Sequence, residues 1–140
     1  MRRLAEEKAN AALTLAPDDV ILAADTIVVI DGDVFGKPED DEHAARMLRL
    51  LSGREHSVYT GICIVAGDRR IVDVARTRVR FAKLSEDEIH DYIRSGEPRD
   101  KAGAYAIQGL ASKFVVSVAG CYANVVGLPV SLVYYHLKAL

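Results

Sequence analysis

Residues 56–66, HSVYTGICIVA, and residues 70–84, RIVDVARTRVRFAKL, flank the turn Gly67–Asp68–Arg69 and read as one long β-hairpin. In its second strand Arg76, Arg78 and Arg80 fall on one face, while Ala75, Thr77, Val79 and Phe81 fall on the other. Alternation of this kind marks a strand with one face buried and one face wet. A hairpin so long needs further strands beside it and helices against its apolar face. Residues 20–30, VILAADTIVVI, supply another strand; the turn DGD and the short return VFGKP follow it. Helical spacing appears in RRLAEEKANAAL, where Leu4, Lys8, Ala11 and Ala12 form a stripe, and from Asp40 or Asp41 onward in Ala44, Met47, Leu48 and Leu51. Ser85 with Glu88 makes a capping box for a helix built on Ile89, Tyr92 and Ile93. KFVVSVAG reads as a late strand, and a last helix runs from about Pro129 to Leu140. Helices interspersed with hairpins give an α/β class with a mixed sheet and flanking helices, in a single domain spanning 1–140.

The bulk numbers narrow the function classes. A chain of 140 residues, half of them hydrophobic, buries roughly two-thirds of its unfolded surface and needs no staples. Its net charge of −2 provides no basic field for nucleic acid or an anionic membrane. The longest uncharged run, FVVSVAGCYANVVGLPVSLVYYH, is broken by glycines, a proline and an asparagine and fails as a membrane helix. MRR has no apolar segment behind it and is not a signal peptide. Cys63 and Cys121 sit in apolar stretches without metal-ligand spacing, as reduced core residues of a cytoplasmic protein do.

Within ILAADTIVVI, Asp25 is out of place, because burying an unpaired carboxylate costs several kcal/mol. Two readings stand: a carboxylate at a strand end accepting from loop amides, or one held in a cleft to activate water or bind a metal. In a regular strand Thr26 points to the opposite face, so either the strand ends here or only one of the pair faces the cleft. Lys8, the one cation on the inner stripe of the first helix, either snorkels or binds a ligand. Lys37 sits in the stiffened loop GKP, which suits a phosphate. Lys101 follows Asp100, where a surface ion pair is the default. Gln108, an amide among apolar neighbours, either reads a base edge or caps a turn. No P-loop or dinucleotide fingerprint is present, and His43, His56, His90 and His136 lack the spacing of a metal site or triad. One carboxylate, three cations and one amide suggest hydrolysis of a polyphosphate.

LAEEKA, AADTIVVIDGDVFGKPEDDEHAARMLRLLSG, HSVYTG, GEPRDKAGAYAIQG and NVVGLP, in this order and spacing, resemble the Maf family of nucleoside triphosphate pyrophosphatases over nearly the whole chain. The resemblance implies a fold like that of inosine triphosphate pyrophosphatase, an elongated α/β structure with a deep cleft between two lobes. It also implies hydrolysis of a nucleoside triphosphate to the monophosphate and pyrophosphate with Mg²⁺ or Mn²⁺. Asp25 matches the family's proton acceptor and is expected at the metal. Thr26 and Gln108 match positions linked to substrate choice, and AYAIQG resembles the branch acting on dTTP and UTP, and on modified pyrimidine nucleotides, rather than on methylated GTP. Lys8 and Lys37 match lysines of the phosphate cleft, with Lys101 near them.

Family members also carry a strand and an S-x-S-P-R-R loop ahead of the EKA helix, which MRRLAEEKA does not supply. Either the true start lies upstream of Met1 or this is a shortened member, and a shortened member is expected to leave Asp25 less compensated and an edge or apolar face uncovered, favouring a homodimer or instability. The alternative function is a catalytically impaired nucleotide-binding or cell-division regulatory protein.

Overall fold

A computed structural model describes all 140 residues. Five strands form one sheet in the order β2-β1-β3-β4-β5: β1 Ile21–Ile30, β2 Asp33–Phe35, β3 Glu55–Ala66, β4 Arg69–Phe81 and β5 Val115–Ala119. The helices are α1 Arg2–Leu15, α2 Asp41–Leu51, α3 Glu86–Arg94, α4 Tyr122–Val126 and α5 Val130–Lys138. The α/β class with flanking helices holds. Every pairing is antiparallel, where a mixed sheet was expected. The reason lies in the connections: β1–β2 and β3–β4 turn back on themselves, and the chain leaves α2 to run against β1 along its other edge.

Local chemistry sets the helix starts. Asp40 accepts the His43 N–H at 2.7 Å to open α2, and the Ser85–Glu88 capping box opens α3. The main core packs α2 and α3 on the far half of the sheet, around Val28, Val58, Val79, Phe81, Leu48, Ile89 and Phe114. At the other end, alternation along β3 divides two smaller cores between the two faces. Cys63 and Val65 meet Ala5 and Ala9 of α1, while Ile62 and Ile64 meet Val133 of α5. The cleft lies between these ends, along β1.

Three local expectations change. The buried row of α1 is Ala5 and Ala9, not Leu4, Lys8 and Ala11. Alanines four apart let the helix approach the sheet closely and turn Leu4 and Lys8 to its flank. Cys63 is fully buried, but Cys121 is only half-buried just before α4; both are free thiols. Residues 113–114 of the expected late strand belong to a 3₁₀ turn, Leu110–Phe114, and α4 was not legible because it is a five-residue helix without polar signals. The alternation of β4 holds, with Arg76, Arg78 and Arg80 exposed and Thr77, Val79 and Phe81 buried. No helix is long and apolar enough to cross a membrane.

Candidate active site

β1 pairs with β3 along most of its length but with β2 only from Val28 to Ile30. The earlier part of its other edge is open, and a cavity of about 510 Å³ lies against it. Lys8, Asp25, Thr26, Lys37, Lys101 and Gln108 all line this one cleft. The strand does not end at Asp25, and both members of the Asp25–Thr26 pair face the cleft. An open edge reconciles these facts, since a ligand beside the strand reaches side chains on either face.

Asp25 stands opposite Gly61 in the β1–β3 register, on the face covered by α1. A Cβ on Gly61 would lie 2.7 Å from the Met1 carbonyl, so glycine lets the first residues of α1 cross the sheet directly. About two turns later Lys8 Nζ reaches Asp25 Oδ1 at 3.2 Å and donates to Ala24 O at 3.0 Å. The Asp25 side chain is only 17% exposed, and its Oδ2 is buried without a partner. Lys8 is 56% exposed, so water screens much of its attraction. The carboxylate is therefore half-satisfied: one oxygen has an ammonium, and the other awaits a donor.

Thr26, on the opposite face, is held differently. Its Oγ1 is 2.8 Å from Thr60 Oγ1 and within 3.5 Å of Gly127 O. Thr60 also approaches Asn124 O at 3.4 Å. The fully buried Asn124 directs its Nδ2 toward Val58 O at 3.1 Å, Ala75 O at 3.3 Å and Thr77 Oγ1 at 3.1 Å. Thr77 in turn donates to Cys121 O at 2.8 Å. This network fixes α4 and the Gly127 that follows it, with Val125 to Gly127 lining the cleft, to the middle of the sheet. Sequence reasoning missed Thr60 and Asn124. The register partnership of Thr26 with Thr60 is their signal, and it exists only once β1 is paired with β3.

The remaining wall is the segment from Asp100 to Gln108, tied to the Lys37 loop by Gly103 N–H donating to Gly36 O at 3.1 Å. Lys101 Nζ lies 2.6 Å from Asp100 Oδ1. Its hydrogen bond and charge, with a smaller contribution from Lys37, hold the Asp100 carboxyl below the usual range. The expected surface ion pair is present, and it stands at the cleft. Tyr105, also in the lining, sets its hydroxyl 2.6 Å from His56 Nε2. Burial lowers the His56 pKa to about 4 and raises that of Tyr105, so both are neutral at pH 7. Gln108 is exposed at the mouth with no hydrogen bond of its own side chain, rather than capping a turn.

A sheet-edge cleft holding a half-satisfied carboxylate, three amines and an open amide defines an α/β protein suited to an anionic ligand with a polar ring. The chain belongs to the Maf family: the family model described as Maf-like protein matches residues 1–140. It is 51% identical over 137 residues to the dTTP/UTP pyrophosphatase of Koribacter versatilis, covering 98% of this chain and 71% of that protein. It is 50% identical over 135 residues to the dTTP/UTP pyrophosphatase of Acholeplasma laidlawii, covering 96% and 71%. With the protein of that name from Syntrophomonas wolfei subsp. wolfei it shares 54% over 134 residues, covering 94% and 71%.

Proposed function

We propose that this chain is a nucleoside triphosphate pyrophosphatase, with dTTP and UTP as substrates, releasing the nucleoside monophosphate and pyrophosphate. The observation that carries this reading is the buried, unpartnered Oδ2 of Asp25 in a cleft rimmed by Lys8, Lys37 and Lys101. Its relatives with half their residues in common bear the name dTTP/UTP pyrophosphatase. Asp25 takes a proton from a water whose oxygen bonds to the α-phosphorus. The bond from that phosphorus to the bridging oxygen breaks, and pyrophosphate leaves with the electron pair. The lysine ammonium groups offset the charge that gathers on the leaving phosphates. Gln108, open at the mouth, offers an amide that matches the acceptor and donor edge of uracil or thymine, and Thr26 lines the same cleft.

Divalent metal is part of this proposal. No group of three His, Cys, Asp or Glu side chains stands ready to hold an ion. The free Asp25 oxygen suits Mg²⁺ or Mn²⁺ brought in on the substrate phosphates, because such ions are held by one or two carboxylates plus phosphate and water. When bound there, the ion adds positive charge at the phosphates. The expected self-association would cover the exposed Val130, Tyr134 and Leu137 of α5, and sedimentation at micromolar concentrations tests it. The impaired, binding-only alternative is not favoured, since the carboxylate, lysines and amide share one cleft.

The test is pyrophosphate release from UTP and dTTP with Mg²⁺ or Mn²⁺, in water labelled with heavy oxygen. Label in the monophosphate and loss of turnover in Asp25→Asn are expected. Absence of turnover on every nucleotide overturns the reading, and a preference for methylated GTP over UTP overturns its substrate half.

A further inference from the structure

The residues on either side of Gln108 are gripped by side chains that the proposed chemistry does not use. Ala106 N–H donates to Tyr92 Oη at 3.0 Å, and Leu110 N–H donates to Glu97 Oε1 at 3.0 Å. Between these anchors, Gly109 N–H donates to Ala106 O at 3.0 Å, closing a turn with Gln108 at its third position. A Cβ on Gly109 would lie 1.7 Å from Glu97 Oε1, so the carboxylate is pressed against the turn's backbone and glycine permits it. Tyr92 is buried, and burial first, then the neighbouring Glu97, raises its pKa and keeps the hydroxyl protonated. Neither Tyr92 nor Glu97 lines the cleft. Both amides bond side chains outside the cleft, two residues to either side of Gln108, whose amide lines it.

This arrangement answers a chemical problem. Uracil presents an acceptor and a donor where cytosine presents a donor and an acceptor. A glutamine amide matches either ring by turning over, so it discriminates only when its backbone is held in one place. We propose that Tyr92 and Glu97 are positioning residues that clamp the Ala106–Leu110 turn and thereby give Gln108 its preference for uracil over cytosine. The inference rests on the reading of Gln108 as the residue that meets the base.

The experiment compares kcat/KM for UTP and CTP in the whole chain, with thermal melts to show that each variant is folded. Gln108→Ala is expected to collapse the UTP preference. Tyr92→Phe and Glu97→Ala are expected to reduce the UTP/CTP ratio roughly tenfold, about one well-made hydrogen bond's worth, through KM rather than kcat. Glu97→Gln keeps an oxygen acceptor for Leu110 and is expected to stay near the parent ratio. Leu110→Pro removes the same bond from its other side. Leu110 is exposed and opens its 3₁₀ turn, where proline is tolerated, so this variant does not depend on core packing. Clamp variants that slow UTP and CTP equally, or a Glu97→Gln as defective as Glu97→Ala, overturn the clamp. An unchanged ratio in Gln108→Ala instead overturns the base-reading role, and the clamp with it.

Discussion

Asp25 and Thr26 are neighbours on one strand, yet they are held in opposite ways. Thr26 belongs to a chain of buried hydrogen bonds through Thr60, Asn124 and Thr77 that ends at the Cys121 carbonyl. Asp25 has one half-exposed lysine on one oxygen and nothing on the other. The same contrast runs through the two walls of the cleft. On the α1 side a single half-exposed lysine meets the carboxylate; on the side of Tyr105 and Asn124 the polar groups are buried and joined by several hydrogen bonds, although His56 Nδ1 and Asn124 Oδ1 still lack partners. Rigid networks fix positions, whereas a sparsely bonded carboxylate that lines an open cleft is free to react. The two walls thus divide the labour between architecture and chemistry.

The largest expected effect falls on the reactive side. Asp25→Asn is expected to lower kcat by a factor of roughly 10² to 10⁴, the usual contribution of a positioned general base. Its melting temperature should barely move, because the half-exposed partner makes the pair worth about 1 kcal/mol at most. A large loss of stability in this variant would mean that Asp25 is structural and would erase the contrast.

The interlocked side should respond in the reverse sense. His56 is the clearest case, since its pKa of about 4 in the folded protein lies below the ordinary 6.5. Between these values the unfolded chain holds a proton on this imidazole that the folded chain does not. Stability should therefore fall as pH drops from about 6.5 toward 4, by about 3 kcal/mol from this group at most. Denaturant titrations at several pH values check this, and His56→Gln, which keeps a polar partner for Tyr105, should flatten the slope in that window. Asn124→Ala comes next. It strips the Val58 and Ala75 carbonyls and the Thr77 hydroxyl of a shared donor, at an expected cost of about 1–3 kcal/mol. The midpoint in urea measures the loss, and kcat for the remaining folded fraction should change far less than in Asp25→Asn.

The contrast also explains what the sequence allowed one to foresee. Asp25, Lys8, Lys37 and Gln108 were legible because each stands out locally: a charge in an apolar strand or on an inner helix stripe, a lysine in a stiff loop, an amide among aliphatics; Lys101 read by itself as a surface ion pair and joined them only through the family resemblance. The long hairpin was legible because its alternation and its turn are local too. The stabilising network was not, because its members lie far apart in the chain and none is unusual where it stands. Thr60 and Asn124 come together over 64 residues, and His56 and Tyr105 over 49. The stripe of α1 was misplaced for a related reason. Leucine outranks alanine in any hydrophobicity count, but the close approach of α1 to the sheet, tightest at Gly61, selects the alanine row.

Lys8 offers the smallest and sharpest test, because it joins the packing of α1 to the charge at Asp25. Its stem comes from α1, the helix that packs through Ala5 and Ala9, while its ammonium meets Asp25 and the Ala24 carbonyl. Lys8→Met keeps the apolar stem and removes the charge. Stability should change by less than about 1 kcal/mol, as for other half-exposed ion pairs. If Lys8 exists to meet phosphates, KM for UTP should rise roughly fivefold at low salt, and the difference should shrink as added salt screens the parent's ammonium. If it exists only to neutralise Asp25, KM should hold and the change should appear in kcat alone.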